Sequence, residues 1–318
     1  LPDQHARKET LNNKENNMGY GNYSQAAHDA LIKSRANLPV QNVFKQQSTH
    51  PLMDPKGVKL RESRDSNEHP QSKGIVFALD VTGSMGEIPR SLAAHQLPVF
   101  MKLLEDCKVR DPQLLFMAVG DATSDYAPLQ VGQFESTAEL MDQWLTWCYL
   151  EGAGGGQGME SYELAMYFLA THTEMDCMVK RKERGYLFLT GDENPYPVLS
   201  KNIVEAVIGD RLDGDVSIKE VVAELQKSFV PFYLIPDVNR AGRCERTWRD
   251  LLGDHVLVLE SGMDVCYVSA GAILLSEGQV KSLKELIDIL LRAGMPEARK
   301  NAVAKTLTAL AELTLNTR

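Results

Sequence analysis

From Lys73 onward the chain alternates between two hydrophobic patterns. Short unbroken apolar runs occupy residues 75–79, 114–119, 186–190, 230–235 and 256–259. They have the length and composition of strands buried on both faces. Residues 129–134 alternate more and predict an edge strand. Between these runs the apolar spacing becomes helical. Ile88, Leu92, Val99 and Leu103 share one face, with Pro98 expected to kink that helix. Ser136 to Glu139 read as a capping box opening a helix that carries Leu140, Trp144 and Cys148. Further helices are predicted over 161–170, 219–227 and 247–252. Strands separated by helices imply parallel βαβ units, hence an α/β domain with helices covering both faces of a mostly parallel sheet.

The two ends differ from this middle. Residues 1–72 are polar and broken by proline, with one helix-like piece over 24–35, and predict an N-terminal arm that is flexible at least over residues 1–20. Residues 263–318 predict a helical extension packed on the domain. Its two apolar faces are Leu283, Leu286, Ile287, Leu290 and Leu291, then Val303, Leu307 and Leu310. The intervening 73–262 is the domain proper.

Charge and cysteine usage narrow the function. The net charge is −9, and the densest basic run, residues 180–184, is a short solvated loop, so nucleic acid is not an expected partner. No stretch holds the roughly 20 apolar residues that a membrane-spanning helix needs. Five scattered cysteines without CxxC spacing argue against a disulfide framework or thiolate zinc site and for a reducing compartment. The cytoplasm is therefore expected, rather than secretion after loss of a leader. Neither the seven histidines nor the glycine run at 154–158 matches a catalytic or phosphate-loop pattern.

The first buried run ends in Asp80-Val81-Thr82-Gly83-Ser84. A carboxylate and two hydroxyls alternate there around a glycine that allows a tight turn. Oxygen donors of this kind suit a hard divalent cation. The stretch resembles the DxSxS motif of von Willebrand factor A domains, with threonine in the middle position. That resemblance implies a doubly wound α/β fold with a metal-ion-dependent adhesion site at the carboxyl edge of its sheet. Thr82 and Ser84 would then ligate directly, and Asp80 directly or through water. Asp192, in Leu189-Thr190-Gly191-Asp192, matches the aspartate after the family's fourth strand.

One departure concerns the loop that in many members carries a metal-binding threonine. Here residues 154–161 read GGGQGMES, similar to the GGGxGxE loop of the alpha-kinase-associated branch. The resemblance makes Glu160 the ligand from that loop and Ser161 the lesser choice. The rival is a helix-N-terminal acid facing the dipole. Asp121 and Asp125 should lie on the same edge, as outer-shell groups around the metal, as part of the partner surface, or only as polar turn residues.

The family reading implies a protein-binding module rather than an enzyme. It would hold Mg²⁺, with Mn²⁺ or Ca²⁺ as substitutes, and a partner Asp or Glu would complete the metal. Intracellular relatives make an AAA+ ATPase one expected partner. Two alternatives stand beside it. Asp80–Ser84 also resembles the DxTGT motif of haloacid-dehalogenase-like phosphotransferases, with Asp80 as nucleophile and Thr190-Gly191-Asp192 as an echo of their Mg²⁺ loop. In the other, the metal only braces the loops of a scaffold.

Overall fold

A computed structural model describes residues 21–152 and 158–316. Its centre is a six-stranded sheet: β1 (Lys73–Asp80), β2 (Pro112–Val119), β3 (Leu129–Val131), β4 (Gly185–Thr190), β5 (Phe229–Ile235) and β6 (Val256–Val258). The spatial order is β3-β2-β1-β4-β5-β6, parallel throughout except for β3, which runs antiparallel to β2. All eight residues of β1 are buried, which is why its sequence shows no alternation. The chain winds outward from β1 to one edge, then returns to β4 and winds to the other. This reversal opens a crevice between the carboxyl ends of β1 and β4.

Successive side chains of β1 serve two cores. Ile75, Phe77 and Leu79 face one, Val76 and Ala78 the other. The register aligns Phe116, Phe77, Phe188 and Phe232 across four strands, with ring centroids 6.0, 5.5 and 5.4 Å apart. Such cross-strand aromatic pairs fix the register as well as burying area.

Helices α1 (Gln25–Arg35), α2 (Leu97–Asp106), α3 (Ala138–Thr146), α4 (Tyr162–Thr171), α5 (Ile218–Leu225), α6 (Ala241–Leu252), α7 (Val265–Glu277), α8 (Leu283–Arg292) and α9 (Lys300–Asn316) cover the two faces. The Phe77 face carries α2, α3 and α7–α9. The opposite face carries α4, α5 and α6.

Several elements differ from the sequence reading for identifiable reasons. The capping residue of α3 is Thr137, whose hydroxyl accepts Leu140 N–H, while the Ser136 hydroxyl donates to the Gly21 carbonyl. The reciprocal capping box belongs to Ser217 and Glu220 at the start of α5. Helix α6 begins six residues before the predicted 247, with Ala241, Cys244, Trp248 and Leu252 as its buried stripe. The edge strand stops at Val131.

Pro98 sits in the first turn of α2, which continues directly from the helical residues before it. Ahead of it the helix widens into a π-turn over Leu92–Gln96, in which Leu97 N–H reaches the Leu92 carbonyl. In this register the next bond would come from Pro98, which has no N–H. The Ala93 carbonyl left over accepts instead from Arg35 of α1, which also pairs with Asp142 of α3.

Residues 21–72 lie on the domain. Arg61–Ser63 pairs in parallel with Thr173–Met175, and Val131 N–H bonds the Met53 carbonyl at 2.8 Å. Residues 1–20, where the most flexible part of the arm was expected, lie outside the described residues. Among the described residues, all five cysteines are free, and no helix is long and apolar enough to cross a membrane.

Candidate metal centre

The carboxyl end of β1 delivers Asp80 into the crevice, fully buried. The chain then turns through Gly83, whose φ of +43° lies where glycine is favoured. Asp80 Oδ1 accepts Thr82 N–H at 2.8 Å and the Thr82 hydroxyl at 2.6 Å. Its Oδ2 accepts the Tyr162 hydroxyl at 2.7 Å. Three of roughly four acceptor positions on the carboxylate are thus filled. Thr82 spends its only hydroxyl proton on Asp80 and keeps its lone pairs. Burial is the main cause that pushes Asp80 up to about 7, against the pull of the Thr82 and Tyr162 hydrogen bonds. The Ser84 side chain lies outside what is described.

Glu160 reaches the same corner through a two-residue strand, Met159–Glu160, paired with Asn194–Pro195 just beyond β4. It is fully buried, and neither carboxylate oxygen has a hydrogen-bond partner. Thr82 lies close enough to favour its charge, but that hydroxyl proton is committed to Asp80. Burial first, then the charges of Asp80, Asp125 and Asp121, raise Glu160 to about 9. Glycines 154–156 of the same loop fall outside the described residues.

Asp192 follows β4, nearly buried, on the opposite side of the crevice. Its Oδ2 accepts from Arg240 Nη1 at 2.8 Å, and Arg243 Nη1 stands 3.7 Å away. Gly191 before it admits two hydroxyls against the chain. A Cβ there would collide with Tyr162 and come within 2.7 Å of Tyr233 Oη. This close approach accounts for the glycine in Thr190-Gly191-Asp192 without a phosphotransferase loop.

The remaining acids have other partners. Asp121 accepts from Thr123 N–H and hydroxyl, the Ser124 hydroxyl and the Tyr196 hydroxyl, and these bonds hold its carboxyl below the usual range against the upward push of burial. Asp125 Oδ2 accepts Asp121 N–H at 2.8 Å. Ser161 Oγ accepts Ala122 N–H at 2.9 Å, tying the loop after β2 to the start of α4. Glu163, which drew no attention in the sequence, is buried, accepts Tyr196 N–H and is raised to about 8 by burial. Tyr162 and Arg240 are two further side chains in contact with candidate ligands that the sequence reading missed.

Among the described residues no three His, Cys, Asp or Glu side chains are placed to hold a metal ion by themselves. A centre here would therefore need hydroxyl oxygen beside its carboxylates, and Thr82, with its lone pairs free, would be the source. The donor set of Asp80, Thr82 and an unpartnered Glu160 is all oxygen, and it fits a hard divalent cation. Such an ion would let Glu160 ionise where no hydrogen bond supports its charge.

No protein-family model and no curated protein matches the sequence. Solved structures that resemble it include the pilus adhesin SpaC from Lactobacillus rhamnosus GG in an open conformation, at 9% identity and TM-score 0.43, covering 73% of this chain and 31% of that one. A von Willebrand factor type A protein from Catenulispora acidiphila aligns at 12% identity and TM-score 0.39, covering 66% and 42%. Proximal thread matrix protein 1 from the mussel byssus, with a zinc-occupied MIDAS motif, aligns at 10% identity and TM-score 0.39, covering 71% and 51%. The chain thus spans between about a third and a half of each of those proteins. Likenesses this distant carry no argument about function.

Proposed function

We propose that the chain is a von Willebrand factor A-like recognition module that holds a divalent cation at Asp80, Thr82, Ser84 and Glu160 and binds a partner protein through it. Asp192 lies across the crevice as a further ligand or as a group acting through water. The observation that carries the reading is Glu160. A carboxylate that is fully buried with both oxygens unpaired is costly unless it is protonated or faces a cation. Mg²⁺ is the ion of first choice, because oxygen ligands few in number leave coordination positions for water or a partner's carboxylate. Cysteine number and spacing support a cytoplasmic setting, and an AAA+ ATPase is the partner to try first, on resemblance alone.

No observation favours the phosphotransferase alternative. A nucleophilic Asp80 needs an oxygen open to substrate, yet this side chain is fully buried and accepts three hydrogen bonds.

The test is thermal melting and calorimetric titration with Mg²⁺, Mn²⁺ and Ca²⁺ on wild type and Glu160→Gln. At least one ion should raise the wild-type melting temperature with a measurable heat, and Glu160→Gln should lose most of that response. Absence of heat and of any melting shift in wild type, up to millimolar metal, would sink the metal reading. Stabilisation by metal without any effect on partner binding would favour the bracing scaffold.

A further inference from the structure

The crevice already contains a cation of its own. Arg240 ends the loop after β5 and precedes the first turn of α6. Its guanidinium reaches back to Asp192 Oδ2 at 2.8 Å and lies 3.7 Å from the sulfur of Met85, in the turn that follows Asp80. It therefore bridges the loop after β1 and the loop after β4, on either side of the crevice. The Asp192 side chain is only 8% exposed, whereas that of Arg240 is 28% exposed. The guanidinium thus has a way out to solvent that the carboxylate lacks. Asp237, 3.8 Å from Arg240 Nε, offers it a second acidic neighbour on the outer side.

We propose that Arg240 is a tethered counter-ion that competes with the divalent cation for Asp192 and thereby sets the metal affinity of the site. The inference rests on the metal-binding reading above. Without metal, Arg240 compensates Asp192, which would otherwise be a buried, unpaired charge. When a divalent cation enters beside Asp80, Thr82 and Glu160, Asp192 lies between two cations that repel each other. Binding then includes breaking the Arg240 contact and moving the guanidinium towards Asp237 and solvent. The affinity observed is the intrinsic affinity reduced by the cost of that displacement. Arg243, 3.7 Å from Asp192 and 61% exposed, adds the same effect more weakly.

The competing role and a purely structural role predict opposite signs. Removing the charge by Arg240→Gln should lower the melting temperature of the metal-free protein, since Asp192 loses its partner. It should at the same time tighten Mn²⁺ binding by about tenfold, the equivalent of about 1.4 kcal/mol. A residue that merely braces the loop would lower both stability and affinity. The experiment is calorimetric titration of Mn²⁺ into the full chain, for wild type, Arg240→Gln and Arg243→Gln, with metal-free melts of each. Arg243→Gln, at an exposed position that tolerates substitution, should tighten binding in the same direction by about two- to threefold. It decides the question if Arg240→Gln does not fold.

Tighter binding in the variants with weaker metal-free stability in Arg240→Gln supports the proposal. If wild type binds Mn²⁺ and the folded variants bind no more tightly, the competition does not exist while the metal site stands. Binding by Arg240→Gln but not by wild type would be the strongest form of the effect. If neither binds, the metal reading and this inference fall together.

Discussion

The two ends of the central sheet treat charge in opposite ways. At the amino end, acids meet bases. Arg181 bonds Asp65 at 2.7 Å and the Ser72 carbonyl at 2.6 Å, Arg64 reaches Glu62, Glu174 and Asp176, and Lys73 pairs with Glu183 at 3.0 Å and Glu277 at 3.1 Å. This network fastens the segment before β1 to the domain. At the carboxyl end, Asp80 and Glu160 are buried with no base beside them, whereas Asp192 and its neighbour Glu193 face arginines. The same fold thus settles its electrostatics at one end and leaves them open at the other. A structural end can tolerate no unmet charge. Under the metal-binding proposal, the other end holds its carboxyls as acids until a cation replaces the proton.

The largest effect expected is steric and belongs to the carboxyl end. Gly191→Ala would drive a methyl group into the Tyr162 ring and hydroxyl and towards Tyr233 Oη. Both tyrosines are fully buried and pack on Trp248, at centroid distances of 5.5 and 3.8 Å, so neither can swing aside. Overpacking of this kind should cost about 3 kcal/mol in a urea melt. Adding Tyr162→Phe, which removes the nearest atom, should recover part of the loss. A Gly191→Ala protein as stable as wild type would show that the tyrosines are not held where the structure has them.

How much of this was open to the sequence depends on the range of the interaction concerned. The buried strands and the oxygens at the end of β1 are local features, written in runs of a few residues. Strand-after-helix order then places Asp192 on the same edge as Asp80. Helix α7 falls inside the helical extension expected over 263–318 but was not picked out as a separate element, because its residues are buried nearly all round and show no stripe to read. Tyr162 and Arg240 were missed for a different reason. Each acts through a partner 82 or 48 residues away, and nothing in the local pattern of either announces it. The start of α4 directly after Glu160 gave a hint for Tyr162, since a first-turn residue there faces the sheet edge. The orphaned state of Glu160 is invisible in sequence altogether, because it is defined by the absence of donors in three dimensions.

Titration should separate the two ends without any mutation. Glu160 is raised from 4.5 to about 9, and Asp80 from 3.8 to about 7, so the folded state holds their protons more tightly than the unfolded chain. That stabilisation is complete below the unfolded values and is lost as pH climbs through the folded ones. Asp65 at the other end is lowered from 3.8 to about 2, by Arg181 and Ser72 acting against burial. Its contribution is complete above 3.8 and is lost as pH falls through about 2. The metal-free melting temperature should therefore decline from about pH 5 towards pH 9 and collapse separately in strong acid. Glu160→Gln should flatten the alkaline decline and leave the acid limb where it was. Saturating metal should flatten it too, in wild type. An alkaline limb that neither change moves would mean that the carboxyl end is not the source of the decline.

The smallest effect tests how Asp80 itself is held. Tyr162→Phe deletes the hydroxyl that donates to Asp80 Oδ2 and leaves the ring in its packing against Tyr233 and Trp248. While Asp80 is protonated, the lost bond is between neutral groups and should cost about 1 kcal/mol. Above about pH 7 the carboxylate is charged, and a bond to an ion contributes more, so the cost should rise to about 2 kcal/mol near pH 8.5. Metal reverses the trend, because a cation beside Asp80 supplies the compensation that the hydroxyl gave. Stability measured across this pH range, with and without metal, therefore reads out whether tyrosine and cation serve the same carboxylate. A cost that is constant in pH, and indifferent to metal, would place Tyr162 with the packing of the sheet edge rather than with the charge it touches.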